Sequence, residues 1–197
     1  CSGYTIRGKA TGVYAVNVAI TGGYNGIDFK NCDHHIIKRL VGSCVSNAIS
    51  VGGTGGLVEG CLQNGNSFCR MGVSQQFVTP VPETEVFRLV FDPILRNQSV
   101  YIQVQKGAKD QFVFNSFGYG VKTLISSGGE ATVFNIGADN IGSNSPMVEL
   151  WNGSLHVTNM MRYNGISYSC KNARLTLYNR LTIAKTDESQ SVAVIDP

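Results

Sequence analysis

Short apolar runs that end in asparagine recur along the second half of the chain. Each run combines β-branched and aromatic residues, which favour strands. The final asparagines fall at positions 115, 135, 159 and 179, which gives steps of 20, 24 and 20 along the chain. A period near two dozen residues indicates a repeat architecture, in which short strands bury their apolar faces by stacking. The four runs are Phe112–Asn115, Thr132–Asn135, His156–Asn159 and Thr176–Asn179.

The segments between these runs also have strand-like patterns, and none is long and periodic enough for the crossover helix of an α/β fold. Strands joined by turns, one coil upon the next, predict an all-β fold, a single-stranded parallel β-helix or solenoid. Asparagine suits the corners because it tolerates left-handed dihedral angles and its amide can bond to neighbouring coils. We expect the four asparagines to form a ladder; the alternative is that asparagine is simply common in turns. The intervening strands are predicted at Val121–Ile125, Met147–Trp151 and Gly165–Cys170.

Residues 1–69 show the same pattern, with glycines at the corners where a positive φ costs glycine little. Alignment of Cys32 with Cys61 gives a coil length of 29 (61−32). This register predicts that Lys30 and Glu59 are neighbours of opposite charge. The strands expected here are Val13–Ile20, Ile27–Cys32, Ile36–Val41, Ala48–Val51 and Gly56–Cys61.

Residues 70–98 interrupt the repeat. Three of the five prolines fall here, and proline cannot donate a hydrogen bond to a strand ladder. Val86, Leu89 and Val90 have helical spacing. We therefore predict an excursion from the solenoid that contains a short helix ending near Pro93. Such an insert either builds one wall of a binding face or covers an exposed strand.

Composition narrows the function classes. Charged residues make up 15% of the chain and the net charge is +3, whereas an average domain has about 25% charged residues. No run of Lys or Arg indicates a nucleic-acid partner, and every apolar run is shorter than the ~20 residues of a membrane span. We expect one elongated domain over residues 1–197. Because Tyr4 opens a strand without a polar cap, we expect the chain to be a fragment of a longer protein or to meet a partner subunit.

The six cysteines, at positions 1, 32, 44, 61, 69 and 170, have no metal-site spacing. Cys32, Cys44 and Cys61 each end an apolar strand, which favours buried thiols that pack as small hydrophobic groups. Disulfide bonds formed in an oxidising compartment are the alternative.

Several of these segments resemble a known group of proteins. The Gly26–Cys32 and Gly55–Cys61 segments, with the asparagine-ended runs, resemble the right-handed parallel β-helix superfamily typified by pectate lyases. The resemblance implies a right-handed coil and covers most of the chain outside residues 70–98. It implies mainly polysaccharide lyases and glycoside hydrolases, with tailspikes, adhesins and epimerases as further members. The polygalacturonase-type motifs are absent, so no catalytic residue is transferred from that family.

Candidate catalytic residues come from the early coils. Glycoside hydrolysis needs two carboxyl groups at a defined separation, and outward side chains on adjacent coils are about 4.8 Å apart. Asp28, Asp33 and Glu59 are the acids of the early coils, and His34 beside them is a candidate base. The alternative interpretations are an ion pair of Glu59 with Lys30, an Asx turn at Asp33 and a surface turn at the histidine.

Four further residues are candidates for substrate binding. His35 adjoins the acidic residues, and Trp151 and Tyr24 are candidate platforms for stacking against sugar rings. Asp139 falls at a predicted corner, where it is a candidate ligand for a sugar or a metal ion; an Asx turn is the alternative. We predict no cofactor, with Ca²⁺ as the open alternative.

The leading hypothesis is a secreted or cell-surface β-helix that cleaves or binds a polysaccharide, with glycoside hydrolase or polysaccharide lyase as the expected enzyme class. The second hypothesis is a non-catalytic solenoid, which is an adhesin, a tailspike segment or an assembly module. An enzyme of the first kind should have a groove in which two carboxylates are about 5–10 Å apart.

Overall fold

The computed structural model describes residues 3–64, 92–139, 141, 144–162, 166–182 and 193–195. The pairings between the strands in these ranges are parallel. The chain is therefore a parallel β-solenoid, as predicted. The elements in chain order are β1 (Tyr4–Arg7), β2 (Tyr14–Val16), β3 (Ala19–Gly23), β4 (Asn25–Phe29), β5 (Ile36–Lys38), β6 (Val41–Cys44), β7 (Asn47–Val51), β8 (Leu57–Glu59), β9 (Leu62–Asn64), α1 (Asp92–Gln98), β10 (Val100–Val104), β11 (Gln111–Tyr119), β12 (Thr123–Ser127), β13 (Glu130–Asp139), β14 (Pro146–Leu150), β15 (Ser154–Arg162), β16 (Ile166–Cys170), β17 (Arg174–Thr182) and β18 (Ala193–Ile195).

The strands form two sheets that run along the solenoid. The first sheet has seven strands in the order β1-β4-β7-β10-β12-β14-β16. The second sheet has eleven, with β2, β5 and β8 continuing into the first half of the long strands β11, β13, β15 and β17. The short strands β3, β6 and β9 pair in line with the second half of β11. Each coil thus crosses the first sheet once and then both halves of the second sheet.

Inward-pointing residues of successive strands stack on one another and form the core of the solenoid. In the first sheet Ile27, Ile49 and Ile102 are paired one above the other and are fully buried. In the second sheet Val113 is paired with Val133, and Val133 with Val157, again fully buried. Burial of a valine or isoleucine side chain stabilises the fold by about 1.5–3 kcal/mol, and each coil supplies the surface that its neighbours bury.

A column of left-handed residues divides the two halves of the second sheet. At this point each coil has a residue with φ between 50° and 65°. Left-handed dihedral angles cost an ordinary L-residue roughly 1–2 kcal/mol, and asparagine and glycine adopt them most readily. The column, which we call the bend column, consists of Asn17, Arg39, Gly60, Asn115, Asn135, Asn159 and Asn179.

The asparagines of the bend column form hydrogen bonds between coils, which confirms the predicted ladder. The side-chain amide nitrogen of Asn135 donates to the side-chain oxygen of Asn115 at 2.9 Å. Asn179 donates to Asn159 in the same way at 3.1 Å. The alternative, in which these asparagines are unrelated turn residues, is thereby excluded.

The early coils differ from the predicted register. The bend column gives coil lengths of 22 and 21 (39−17 and 60−39) instead of the expected 29. Glu59 is therefore paired with Lys38, whose Nζ is 2.8 Å from a carboxylate oxygen of Glu59. The predicted pair of Lys30 with Glu59 is wrong, because Cys32 and Cys61 lie at different corners of the coil. The strand expected over residues 13–20 is likewise split in two by the bend in the column.

One helix of the described residues, α1, lies at the C-terminal end of the predicted excursion. Helix α1 begins at Asp92, so Pro93 lies in its first turn rather than at its end. Proline is tolerated there because the first turn has no intrahelical acceptor for its missing N–H group. The helical pattern at Val86, Leu89 and Val90 lies outside the described residues.

Four cysteines of the described ranges are buried free thiols, as the sequence favours: Cys32, Cys44, Cys61 and Cys170. Burial raises the pKa of Cys44 to about 12. A thiol with so high a pKa is not a nucleophile at neutral pH, so it serves as a small apolar group. Cys1 and Cys69 lie outside the described residues.

Candidate functional site

A groove crosses the outward face of the second sheet, on the half of the sheet before the bend column. Its volume is about 320 Å³, and it spans β11, β13, β15 and β17. Outward residues alternate here with the buried residues of the core, so the register alone decides which side chains meet. The outward residues that line the groove form two rows across the four strands. The first row lies five positions before the bend-column asparagines and consists of Asp110, Glu130, Ser154 and Arg174. The second row lies three positions before them and consists of Phe112, Thr132, His156 and Thr176.

Two carboxylates lie next to each other at one end of the groove. Asp110 directly precedes β11, Glu130 begins β13, and both side chains are exposed. The pairing of Gln111 with Ala131 places these two acids at equivalent positions of neighbouring coils. Neighbouring parallel strands are about 4.8 Å apart. The backbone therefore places the two acids one above the other on adjacent coils, both at the groove.

The other end of the groove carries basic and aromatic groups. Arg174 is paired with Ser154, which separates it from Glu130 by one coil. His156 is exposed, and its ring centroid is 5.0 Å from that of Tyr178 at an interplanar angle of 48°. The charge along the groove therefore changes from negative to positive in the direction of the solenoid axis.

Exposed phenylalanines continue the groove as an aromatic shelf. The Phe112 and Phe114 rings have centroids 5.9 Å apart. Phe134, paired with Phe114, is 42% exposed, and Phe112 is 41% exposed. The three aromatic rings lie on two adjacent strands, with the planes of Phe112 and Phe114 inclined at 47°. Together they offer an apolar surface of the kind that a sugar ring or an apolar side chain can cover.

The predicted catalytic residues lie elsewhere and on different surfaces. Asp28 lies on the first sheet and is 2% exposed, in ion pairs with Arg7 at 3.1 Å and Lys30 at 3.8 Å. Glu59 lies on the second sheet, next to the bend column. The corner between the sheets therefore separates these two acids, and both are ion-paired.

Asp33 and His34 lie at that corner, between β4 and β5. The Asp33 Oδ1 accepts a hydrogen bond from the backbone N–H of Thr54, on the next coil, at 2.7 Å. His34 is exposed and has a left-handed backbone with φ of 52°. Asp33 thus stabilises the corner, while the catalytic role that we predicted for both residues stays a prediction.

His35 is fully buried, contrary to the surface position that substrate binding requires. Its Nδ1 is 2.8 Å from the carbonyl oxygen of Cys32, so this nitrogen carries the proton and donates it. Burial lowers the pKa of His35, and the hydrogen bond to Cys32 and the charge of Asp33 offset part of this effect. The histidine is therefore neutral at pH 7 and belongs to the core.

The remaining predicted binding residues are dispersed. Trp151 is 38% exposed and its ring lies against Gly128, at the corner that leads into Ser154 of the groove. Tyr24 is 46% exposed, between β3 and β4 on the early coils. Asp139 ends β13, at the far end of the strand that begins in the groove. Of these residues, Trp151 comes closest along the chain to a groove residue.

The groove residues were not among the predicted site residues, although the repeat period in the sequence contains the information that groups them. The step along the chain from Asp110 to Glu130 is the same as that from Asn115 to Asn135, so the period that revealed the ladder also aligns the two acids. His156 belongs to one of the asparagine-ended runs. When the four runs are aligned on their asparagines, the residues five positions before each asparagine, which include Asp110 and Glu130, fall at equivalent positions.

Among the described residues, no group of three or more His, Cys, Asp or Glu side chains is arranged to hold a metal ion. In the same ranges no helix has the length and apolar character needed to cross a bilayer. Comparison with known proteins gave no significant match to a protein-family model, a curated protein or a solved structure.

Proposed function

We propose that this protein is a carbohydrate-active β-solenoid that binds a polysaccharide in the groove of the second sheet and hydrolyses it there. The observation that supports this function is the pairing of Asp110 with Glu130 on neighbouring coils, in a groove that also contains His156 and that adjoins the aromatic shelf through Phe112. An elongated groove with apolar and hydrogen-bonding surface suits a chain of sugar rings, which present both.

The coil spacing favours a retaining glycoside hydrolase. Retaining enzymes hold their two carboxyl groups about 5–5.5 Å apart, close to the ~4.8 Å between adjacent strands. In this proposal one carboxyl group protonates the leaving glycosidic oxygen while the other attacks the anomeric carbon. Water then releases the sugar, with the first group acting as a base. Arg174 and Ser154 are suited to bind hydroxyl or carboxylate groups of the neighbouring sugar unit.

The reaction is tested by the release of reducing sugar from a panel of polysaccharides. We expect D110N and E130Q each to lower the rate about 10²–10⁴-fold, while binding of the same polysaccharide is retained. The matched controls are D33N and E59Q, which change exposed or partly exposed acids of the early coils. If the controls abolish release and the groove variants do not, the catalytic site lies in the early coils instead.

A non-catalytic function is the second candidate, and the exposed apolar surface favours it. Tyr14 and Val16 of β2 are 68% and 43% exposed and lie in line with the aromatic shelf. Such a surface suits an adhesin, a tailspike segment or an assembly module that binds without cleaving. Polysaccharide binding by the wild-type protein, with no reducing sugar released from any substrate, would support this function.

The proposed family and location follow from the same argument. The parallel coils and the asparagine ladder support membership of the right-handed parallel β-helix superfamily typified by pectate lyases. Since polysaccharides of this kind are found outside cells, we expect a secreted or cell-surface protein.

A further inference from the structure

A second cavity lies on the first sheet, at the outer surface of its first two coils. Its volume is about 440 Å³, and it is lined by Arg7, Gly8, Lys9, Asp28, Lys30 and Asn31. We propose that this cavity, which we call the cationic cavity, binds a tetrahedral oxyanion, namely the sulfate or phosphate group of an ester. This inference does not depend on the function proposed for the groove.

The single acid of the cavity is buried and already paired. Oδ2 of Asp28 accepts a hydrogen bond from Nε of Arg7 at 3.1 Å and is 3.8 Å from Nζ of Lys30. Oδ1 of Asp28 is 3.3 Å from the backbone nitrogen of Lys30. At 2% exposure this carboxylate is shielded from solvent by the cations that it holds. Asp28 is therefore a positioning residue for Arg7 and Lys30.

Arg7 retains unused donors. Its only hydrogen bond within the described part of the chain is made through Nε, so both terminal nitrogens of the guanidinium are available. These planar donors match the oxygen spacing of phosphate and, by the same geometry, of sulfate. The side chain is 53% exposed, which makes it accessible to a ligand from solution.

Two lysines of adjacent coils face the same cavity. Arg7 is paired with Asp28, and the N–H of Gly8 continues the ladder to the carbonyl of Asp28 at 2.9 Å. Lys9 and Lys30 follow the paired residues Arg7 and Asp28 by two positions, just beyond the two strands, and both line the cavity.

The lining of three cations and one acid has a formal charge of +2. A bound dianion would offset this charge.

The proposal is tested with inorganic sulfate and inorganic phosphate, using calorimetric titration and thermal unfolding at an ionic strength matched with NaCl. We expect saturable binding by the wild-type protein and a rise in Tm that saturates with the anion. The double variant K9A/K30A should bind each anion at least tenfold more weakly. The matched control K171A, which removes an exposed lysine far from the cavity, should bind like the wild type.

Sulfate also stabilises proteins without binding, because it is excluded from their surface. A rise in Tm of equal size in the wild type, K9A/K30A and K171A, with no saturable heat, would overturn the proposal. The sources of the anion are separated by titration with glucose 6-sulfate and glucose 6-phosphate. Asp110 lines the groove and not this cavity, so we expect D110N to bind each anion as the wild type does. Such a result would show that anion binding does not depend on the groove.

Discussion

The side-chain amide of Asn135 donates a hydrogen bond to that of Asn115, 20 residues earlier in the chain, at 2.9 Å. Both residues have a left-handed backbone, with φ of 57° and 50°. The same residue type therefore satisfies two requirements at once, because it accepts the bend and links one coil to the next.

Substitution of Asn135 separates these two contributions. We expect N135A to lower the free energy of unfolding by about 1–2 kcal/mol, since alanine is strained at this φ and lacks the amide. N135G keeps the bend without strain and should cost less than N135A. Urea unfolding measures both variants; equal losses in the two would show that backbone strain contributes nothing at this position.

Leu155 and Thr132 test which side of the second sheet is the core. Leu155 is 1% exposed, whereas Thr132 points into the groove. We expect L155A to destabilise the protein by about 2–5 kcal/mol, because it leaves a cavity between the coils. T132A should change stability by no more than about 0.5 kcal/mol. A reversed order in denaturant unfolding would contradict the register of the groove.

Trp151 is the only tryptophan of the chain, so its fluorescence reports on a single site. A methyl group at Gly128 would overlap the indole ring. We expect G128A to displace the ring toward solvent and to shift the emission maximum to longer wavelength. W151F, which keeps an aromatic ring at this position, should leave the fold intact and abolish the tryptophan emission. An unchanged emission spectrum in G128A would mean that the ring does not pack on Gly128.

The buried His35 predicts a specific pH dependence of stability. Its pKa in the folded protein is below the ordinary value of 6.5, so the unfolded chain binds more protons in this pH range. The stability that neutral His35 contributes is therefore fully present above pH 6.5. This contribution is lost as the pH falls below 6.5 toward the pKa of His35 in the folded protein.

The variant H35N removes the titrating ring and keeps a donor for the carbonyl of Cys32. We expect it to lose less stability than the wild type between pH 7.5 and 5.5, measured by urea unfolding at each pH. H156N is the control, because it removes an exposed histidine. A loss in H35N as steep as in the wild type would show that other groups dominate this pH range.

The solenoid was predictable because its later coils repeat one residue type at one bend. The earlier coils have Asn17, Arg39 and Gly60 at the same bend, and this variety conceals the period. In these coils the length was predicted from an alignment of Cys32 with Cys61. The predicted coil is longer than the two observed early coils, because the two cysteines do not occupy equivalent positions.

The position of the groove required the register, because residues that lie together on the surface are a full coil apart in sequence. Asp28 and Asp33 show the converse, since residues that are close in sequence can lie on different parts of a coil. Asp28 and Asp33 are close in sequence, but the corner after β4 directs the chain from one sheet to the other between them. Proximity along the chain therefore predicts little about proximity on a solenoid surface, where residues one coil length apart become neighbours.

The bend column continues from Gly60 to Asn115, although the chain between them is more than twice as long as in the other coils. The pairing of β8 with β11 and of β7 with β10 is kept across this interval. The solenoid therefore accommodates a longer connection here while the strands on either side keep their register. For protein engineering, the interval between β9 and α1 is accordingly where we expect an added tag or guest domain to leave the strand register intact.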